Sequence, residues 1–514
     1  MTLKTKFLIF AFILCALLCT PARAQTINAA TCAESDVQSA LNKATSGSTV
    51  VIPAGTCIWT TAIFFNPPPN FTLQGQTVCT GSGAPSVNNL SCTDNTVIVD
   101  RIPRGGSNGD PPLLQFNTNT AGTFRVTGLT IAWGGGIATD NGCLRFVGNS
   151  QQFRVDHVHF KGINALAFVH DGNLAGVMDH VLGDGSTGSG WRDYGDTSTG
   201  GDSNWAAPTG LGSSNFVFFE DNTFNTFGND CQQGGRWVVR YNTFNNNGVQ
   251  THPTGGAGRA RGCRAWEIYQ NAFLNPTTNH FNVFFMSAGT GVIWGNNAPS
   301  GISNFVTMHS MRRDNTTYGE TATPNGWGYC GTSFTGAGSN WDQNTSASTG
   351  YHCMDQPGQG MGDLLTGSFP NVKNTATGCT ASSACASPRQ AHEPVYEWLD
   401  KWSGPSGGSF WAAYEPDVLF NNSDYYLWCD PSSPSGCTSF NGTAGVGTGT
   451  LASRSSTCTP MVGYWATDTN TLYQCSAGNT WSAFYTPYTY PHPLTLASGP
   501  PPAAPLGVTV TSVQ

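Results

Sequence analysis

Between Phe124 and Gly301 the apolar and polar positions repeat one phrase. An apolar run with alternating side chains leads to Asn or a stand-in, then one residue, then a large apolar residue. The clearest copies are Val217–Phe224, Trp237–Phe244, Trp266–Phe273 and Gly291–Ala298. Weaker ones are Phe124–Ile131, Phe153–Phe160 and Gly176–Leu182. The Asn position falls at Leu129, Val158, Val181, Asn222, Asn242, Asn271 and Asn296. A period of this length with no helical pattern inside it predicts a solenoid, whose units bury their apolar faces only by stacking.

Within the phrase, Val155, Phe219, Val239, Ile268 and Ile293 share one column, and Asp156, Glu220, Arg240, Tyr269 and Trp294 share the next. Period-two alternation predicts strands with the first column inward. Asn suits a sharp bend, because it tolerates a left-handed backbone, and stacked Asn side chains can hydrogen-bond along the axis. Phe160, Phe224, Phe244 and Phe273 re-enter the core two residues later. Strand, Asn bend, strand, variable loop and third strand make the coil of an all-β, right-handed parallel β-helix. In this the chain resembles the pectate-lyase-like superfamily over most of its length.

The first 24 residues read as a signal peptide: Lys4 and Lys6, an apolar run from Phe7 to Leu18, and an Ala22-Arg23-Ala24 cleavage site. The run is too short to span a bilayer, so export with no transmembrane segment is expected, to the cell surface, the surroundings or a periplasm. Ser35–Ala44 predicts a helix, with Ser35 as its cap and Val37, Ala40 and Leu41 as its apolar stripe. Helix followed by Thr49–Gly55 resembles the entry of pectate-lyase-like solenoids, where the helix covers the open first coil. The β-helix with this cap is assigned to residues 25–302. Residues 303–497 read as terminal coils and Cys-, Trp- and Tyr-rich loops, with a hairpin at 463–481, and 498–514 as a Pro-rich tail. Tyr488–Leu494 resembles the closing segment of uncharacterised secreted bacterial β-helix proteins.

Only 10% of residues are charged. Without Lys4, Lys6 and Arg23, the 22 basic residues fall to 19 against 30 acidic ones. This argues against nucleic acid as a partner, and it means that an acidic polysaccharide would need a local basic site or a bridging cation such as Ca²⁺. Export makes disulfides the default for the cysteines. Local pairs are Cys32–Cys57, Cys79–Cys92, Cys330–Cys353, Cys379–Cys385, Cys429–Cys437 and Cys458–Cys475. Cys231 and Cys263 could pair, leaving Cys143 as a buried thiol. No C-x-x-C pair occurs, so no zinc site is expected.

Two loops carry candidate chemistry. The first holds Trp191, Arg192, Asp193, Tyr194, Asp196, Asp202 and Trp205: aromatic faces beside carboxylates and Arg, as sugar clefts use them. The second runs from Thr251 to Arg264, with His252 and three arginines, Arg259, Arg261 and Arg264, within six residues. His252 and His170 each close a third-face strand, which places both on one side of the solenoid. The structural alternatives are aromatics packed on the coil below and arginines paired with outward carboxylates such as Glu267 and Glu220. Asp156-His157 resembles part of the W-x-D-H signature of pectate lyases, with Arg154 in place of its Trp, but Asp-His before a bend is also bend chemistry. Asp100-Arg101 reads as a solvated pair.

The R-x-P-x-x-R run of pectate lyases and the N-T-D, D-D, G-H-G and R-I-K blocks of polygalacturonases are absent. The resemblance therefore implies the fold rather than a pectinolytic activity. Two functions remain. One is a polysaccharide lyase on a uronic-acid polymer, with His252, Arg259 and Arg261 catalytic and Trp191, Arg192, Asp193, Trp205 and His170 binding substrate, or else a glycoside hydrolase. The other is a noncatalytic, glycan-binding or adhesion-type surface protein. The lyase requires His252, the arginines and the Trp191 loop to converge on one cleft with the arginines free.

Overall fold

A computed structural model describes residues 25–496 apart from 82–88, 108, 119–121, 138–139, 151, 165, 186–189, 254–260, 275–281, 299–302, 311–354, 362–390, 405–408, 417–418 and 430–438. The repeated phrases stack as parallel strands into a right-handed β-helix. The first sheet has 12 strands, from Thr26–Asn28 to Tyr425–Tyr426, and the second has 10, from Gly55–Trp59 to Lys401–Trp402. The third face is divided between a 6-stranded sheet, Ile63–Phe65 to Gly228–Gln232, and a 4-stranded one, Val249–Thr251 to Ser409–Ala413.

The inward column is in register as its alternation predicts. Val155, Met178, Phe219, Val239, Ile268 and Ile293 occupy successive rungs, all buried. On the second sheet Phe224, Phe244 and Phe273 stack at 5.4 and 5.0 Å. Each such side chain contributes on the order of 1.5–3 kcal/mol by leaving water, so the core grows rung by rung.

The bend differs from expectation. The left-handed residue is the one before the Asn: His157, His180, Asp221, Tyr241, Gln270 and Leu399 have φ between 50° and 59°. The Asn side chain turns inward instead, because there it satisfies peptide groups that the bend leaves unpaired. Asn222 Nδ2 donates to Asn242 Oδ1 at 2.9 Å, Asn242 to Asn271 at 3.1 Å, and Asn271 to Asn296 at 2.9 Å. Asp400 ends the ladder by accepting from Asn296 Nδ2 at 2.9 Å. His157 and His180 are bend residues, their rings stacked at 5.3 Å, and Asp156 and Asp179 bind Arg154.

The second column, Glu220, Arg240, Tyr269 and Trp294, points away from the solenoid core and is nevertheless buried. The cover is the chain after Val446, which folds back over the first sheet. Val446–Gly449, Gly463–Ala466, Thr471–Ala477 and Thr480–Tyr485 form a four-stranded sheet, with Trp465 opposite Leu472 across the expected hairpin. Trp465 packs 5.2 Å from Trp294 and 5.0 Å from Trp398, giving the fold a second apolar core. Beyond it, the carbonyls of Tyr488 and Thr489 accept from Arg240 at 2.7 and 2.9 Å.

The entry helix is Glu34–Leu41, and it buries Val37, Ala40 and Leu41 against the strands Gly55–Trp59 and Ile63–Phe65. Ser35 does not cap it. The N-cap is Ala33, and Thr31 Oγ1 accepts from Ala33 N at 3.1 Å and donates to Asp36 at 2.6 Å. Disulfides join Cys32–Cys57, Cys79–Cys92, Cys231–Cys263 and Cys458–Cys475. Cys143 is a buried free thiol, pushed up in pKa by burial. Cys330, Cys353, Cys379, Cys385 and Cys437 lie outside the described residues. Asp100 is not solvated: it is buried and paired with Arg104 at 2.9 Å.

Candidate functional site

Four neighbouring rungs of the third face carry most of the chemistry. Phe146, His170, Asp193 and Cys231 stand in register and point inward. The alternate residues form two further rows, Arg145, Val169, Arg192 and Asp230 in one and Val147, Asp171, Tyr194 and Gln232 in the next. The Arg145, Asp171 and Arg192 side chains are 21%, 12% and 24% exposed, a half-open face. Arg145 is bonded to Asp171, which also accepts from Thr197 Oγ1 at 2.6 Å. Arg192 lies 3.4 Å from the Asp230 carboxylate, donates to the Tyr194 hydroxyl at 2.8 Å and stands 5.6 Å from that ring's centre. Arg145 and Arg192 thus each have a carboxylate, and the charge of Asp140 also acts on Arg192.

Just past the ends of these strands a cleft of about 320 Å³ opens, lined by Gly172, Asn173, Asp193, Asn204, Asn215 and Arg236 among others. Gly235 forms part of its wall because a Cβ there would meet Asp193 Oδ2 at 2.7 Å and Cys231 Sγ at 2.9 Å. Burial pushes the Asp193 carboxyl up to about 8 against one opposing hydrogen bond from the Arg236 peptide N–H, and its Oδ2 has no partner. The acid is therefore protonated at neutral pH. Arg236 donates from Nη2 to the Asn204 carbonyl at 3.1 Å, while its buried Nε has no partner. Burial, then the charge of Arg264, lowers the Arg236 guanidinium to about 10.

The residues expected from sequence divide sharply. Trp191 offers no face to a sugar. It is a core residue stacked 4.3 Å from Phe219, because Gly190–Tyr194 is a strand whose register turns it inward. His170 is also in the core, 4.2 Å from Phe168 and 4.9 Å from Phe153, with neither ring nitrogen bonded; burial lowers it to about 3. Trp205 is buried, donating to the Gly262 carbonyl at 2.9 Å, with the guanidinium groups of Arg261 and Arg264 5.0 and 5.3 Å from its ring. Arg261 binds both oxygens of Asp355 at 2.8 and 2.7 Å and Asp202 at 3.1 Å. Arg264 binds Glu393 at 2.9 Å and the Ala207 carbonyl at 2.9 Å.

The arginines thus pair with carboxylates, but not with Glu267 or Glu220. Glu267 accepts from Gly212 N and Tyr485 Oη, and Glu220 pairs with Arg240. His252 is half-buried at the end of its strand, its Nδ1 3.1 Å from the Pro253 carbonyl oxygen. Arg259 lies outside the described residues. Arg192 faces outward, and Asp193 lines the cleft from within.

Sequence reasoning missed Arg236, Arg145, Asp171 and Asp230. The pair Gly234-Gly235 before a lone Arg, one residue ahead of the strand phrase, was the available signal for the first. Among the described residues, no group of three His, Cys, Asp or Glu side chains is placed to hold a metal ion, and no helix is long and apolar enough to cross a membrane. No protein family, curated protein or solved structure matches the chain.

Proposed function

We propose that this is an exported, noncatalytic polysaccharide-binding β-helix of pectate-lyase-like kind, with the glycan lying along the outer third face. One observation carries the reading: Arg145 with Asp171, and Arg192 with Tyr194 over the buried Asp230, stand partly exposed across four rungs. Rungs about 4.8 Å apart repeat donors and acceptors along the axis, as a sugar chain repeats its hydroxyls. The Tyr194 ring adds an amphipathic surface between them. Four disulfides between described residues and the leader-like first 24 residues support export into an oxidising compartment.

Binding is favoured over eliminative cleavage. The lyase expected from the sequence needs free arginines beside His252, and the guanidinium groups of Arg261 and Arg264 are committed to Asp355 and Glu393. The test is a glycan array followed by affinity electrophoresis of the mature chain and of Tyr194→Ala and Arg192→Ala. Retarded migration in at least one polysaccharide, weakened about tenfold or more by either substitution, is the expected result. Unsaturated uronic products absorbing in the far ultraviolet, formed with or without Ca²⁺, would replace this reading with the lyase.

A further inference from the structure

We infer that the cleft beside this face seats one carboxylate group of an acidic sugar, with Arg236 as its cationic partner, an assignment that rests on the glycan reading above. Arg192, Arg240, Arg261 and Arg264 each pair with a carboxylate. Arg236 has none, although its Nε is buried and the side chain keeps only the Asn204 carbonyl. Glu393, the carboxylate whose charge acts on it, is bonded to Arg264. Asp193, which shares the cleft, is held neutral by burial and supplies no counter-charge.

A partly buried guanidinium without an anion is unfavourable, and the natural remedy is a ligand carboxylate that accepts charge-assisted hydrogen bonds. The rest of the lining favours a small polar group. Asn173, Asn204 and Asn215 bring amides, and Gly172, Gly195 and Gly234 complete the lining. A volume of about 320 Å³ admits one sugar unit rather than a chain, so the polymer would enter from the outer face and place a single acidic unit here. The chain's excess of 30 acidic over 22 basic residues gives no general attraction to a polyanion, so selectivity would come from this local group.

The experiment titrates the mature protein calorimetrically with a uronic-acid trisaccharide, its carboxyl-reduced neutral counterpart and inorganic sulfate. The acid should bind at least tenfold tighter than the reduced sugar. Arg236→Gln should abolish that preference, bringing the affinities for the acid and the reduced sugar within about twofold of each other. If Arg236→Gln fails to fold, the acid-to-neutral ratio in the wild type decides alone. Equal binding of the two sugars overturns the inference and leaves the glycan reading standing. No binding of either sugar overturns both. Sulfate bound as tightly as the acid sugar, with no contribution from the sugar, overturns the assignment to an acidic glycan.

Discussion

Arg261 places its guanidinium on both oxygens of Asp355, at 2.8 and 2.7 Å, and both side chains are buried. Removing Arg261 takes the two-point partner from a buried carboxylate, and removing Asp355 leaves the buried guanidinium only Asp202. Arg261→Ala and Asp355→Ala should each destabilise the fold by about 3–5 kcal/mol. The double substitution should cost clearly less than the two singles added together. Urea unfolding midpoints of the three variants test this. Additive effects would mean that the pair is not coupled, and a stable Arg261→Ala would return that arginine to the list of available functional groups.

How much of this was legible depends on the distance over which each feature is decided. The column Phe219, Val239, Ile268, Ile293 and the Asn ladder follow from local alternation repeated at each rung, and both were readable. Trp191 and His170 were misplaced because their direction depends on register with the next rung, not on their flanks. The 41-residue interval from Val181 to Asn222 hid the strand that fixes it. Arg261 looked free because Asp355 is 94 residues away. The cover over the outward-facing second column was not legible because it arrives from far along the chain: Tyr485 reaches Glu267 across 218 residues.

Asn242 joins two neighbouring rungs through six hydrogen bonds. It accepts from Asn222 N and Nδ2, donates its own main-chain N–H to Asn271 Oδ1, and donates from Nδ2 to Phe219 O, Arg240 O and Asn271 Oδ1. Asn242→Leu strands several buried polar groups and should cost about 2–4 kcal/mol, since each unsatisfied group costs about 1–3. Asn245 offers a control on the outer side. It donates to Asn225 Oδ1 at 2.7 Å in a half-exposed position, so Asn245→Ala should cost about 1 kcal/mol or less. Equal losses in chemical denaturation would contradict an internal ladder.

His170 is a neutral imidazole among Phe146, Phe153, Phe168 and Phe219, with both nitrogens unbonded. His170→Phe should raise stability at pH 7 by about 1 kcal/mol, because it removes unsatisfied buried groups from an aromatic site. Burial lowers the folded-state value from 6.5 to about 3, so below pH 6.5 the unfolded chain binds a proton that the folded chain refuses. Wild-type stability therefore falls as pH falls, and the advantage of the Phe variant should widen from pH 7 to pH 4. Thermal midpoints across that range test the sign, and a constant difference would place the ring in contact with water.

Glu267 gives the opposite slope. Its carboxyl is buried beneath the C-terminal sheet, accepting from Gly212 N at 2.7 Å and the Tyr485 hydroxyl at 2.8 Å. Burial raises it to about 7, against those two bonds and the charge of Arg240. The folded state thus holds a proton that the unfolded chain releases near pH 4.5. Its contribution is fully present below that pH and is lost as pH rises through about 7. Glu267→Gln keeps the shape and cannot ionise. The two proteins should be of similar stability at pH 4.5, and the variant should gain on the wild type by about 3 kcal/mol by pH 8, on the scale of 1.36 kcal/mol for each pH unit of difference. Paired urea titrations at half-unit intervals measure the gap directly. A gap that stays flat would show that the cover over the first sheet admits water to Glu267. In that case the C-terminal sheet would be a loosely seated module rather than part of the second core.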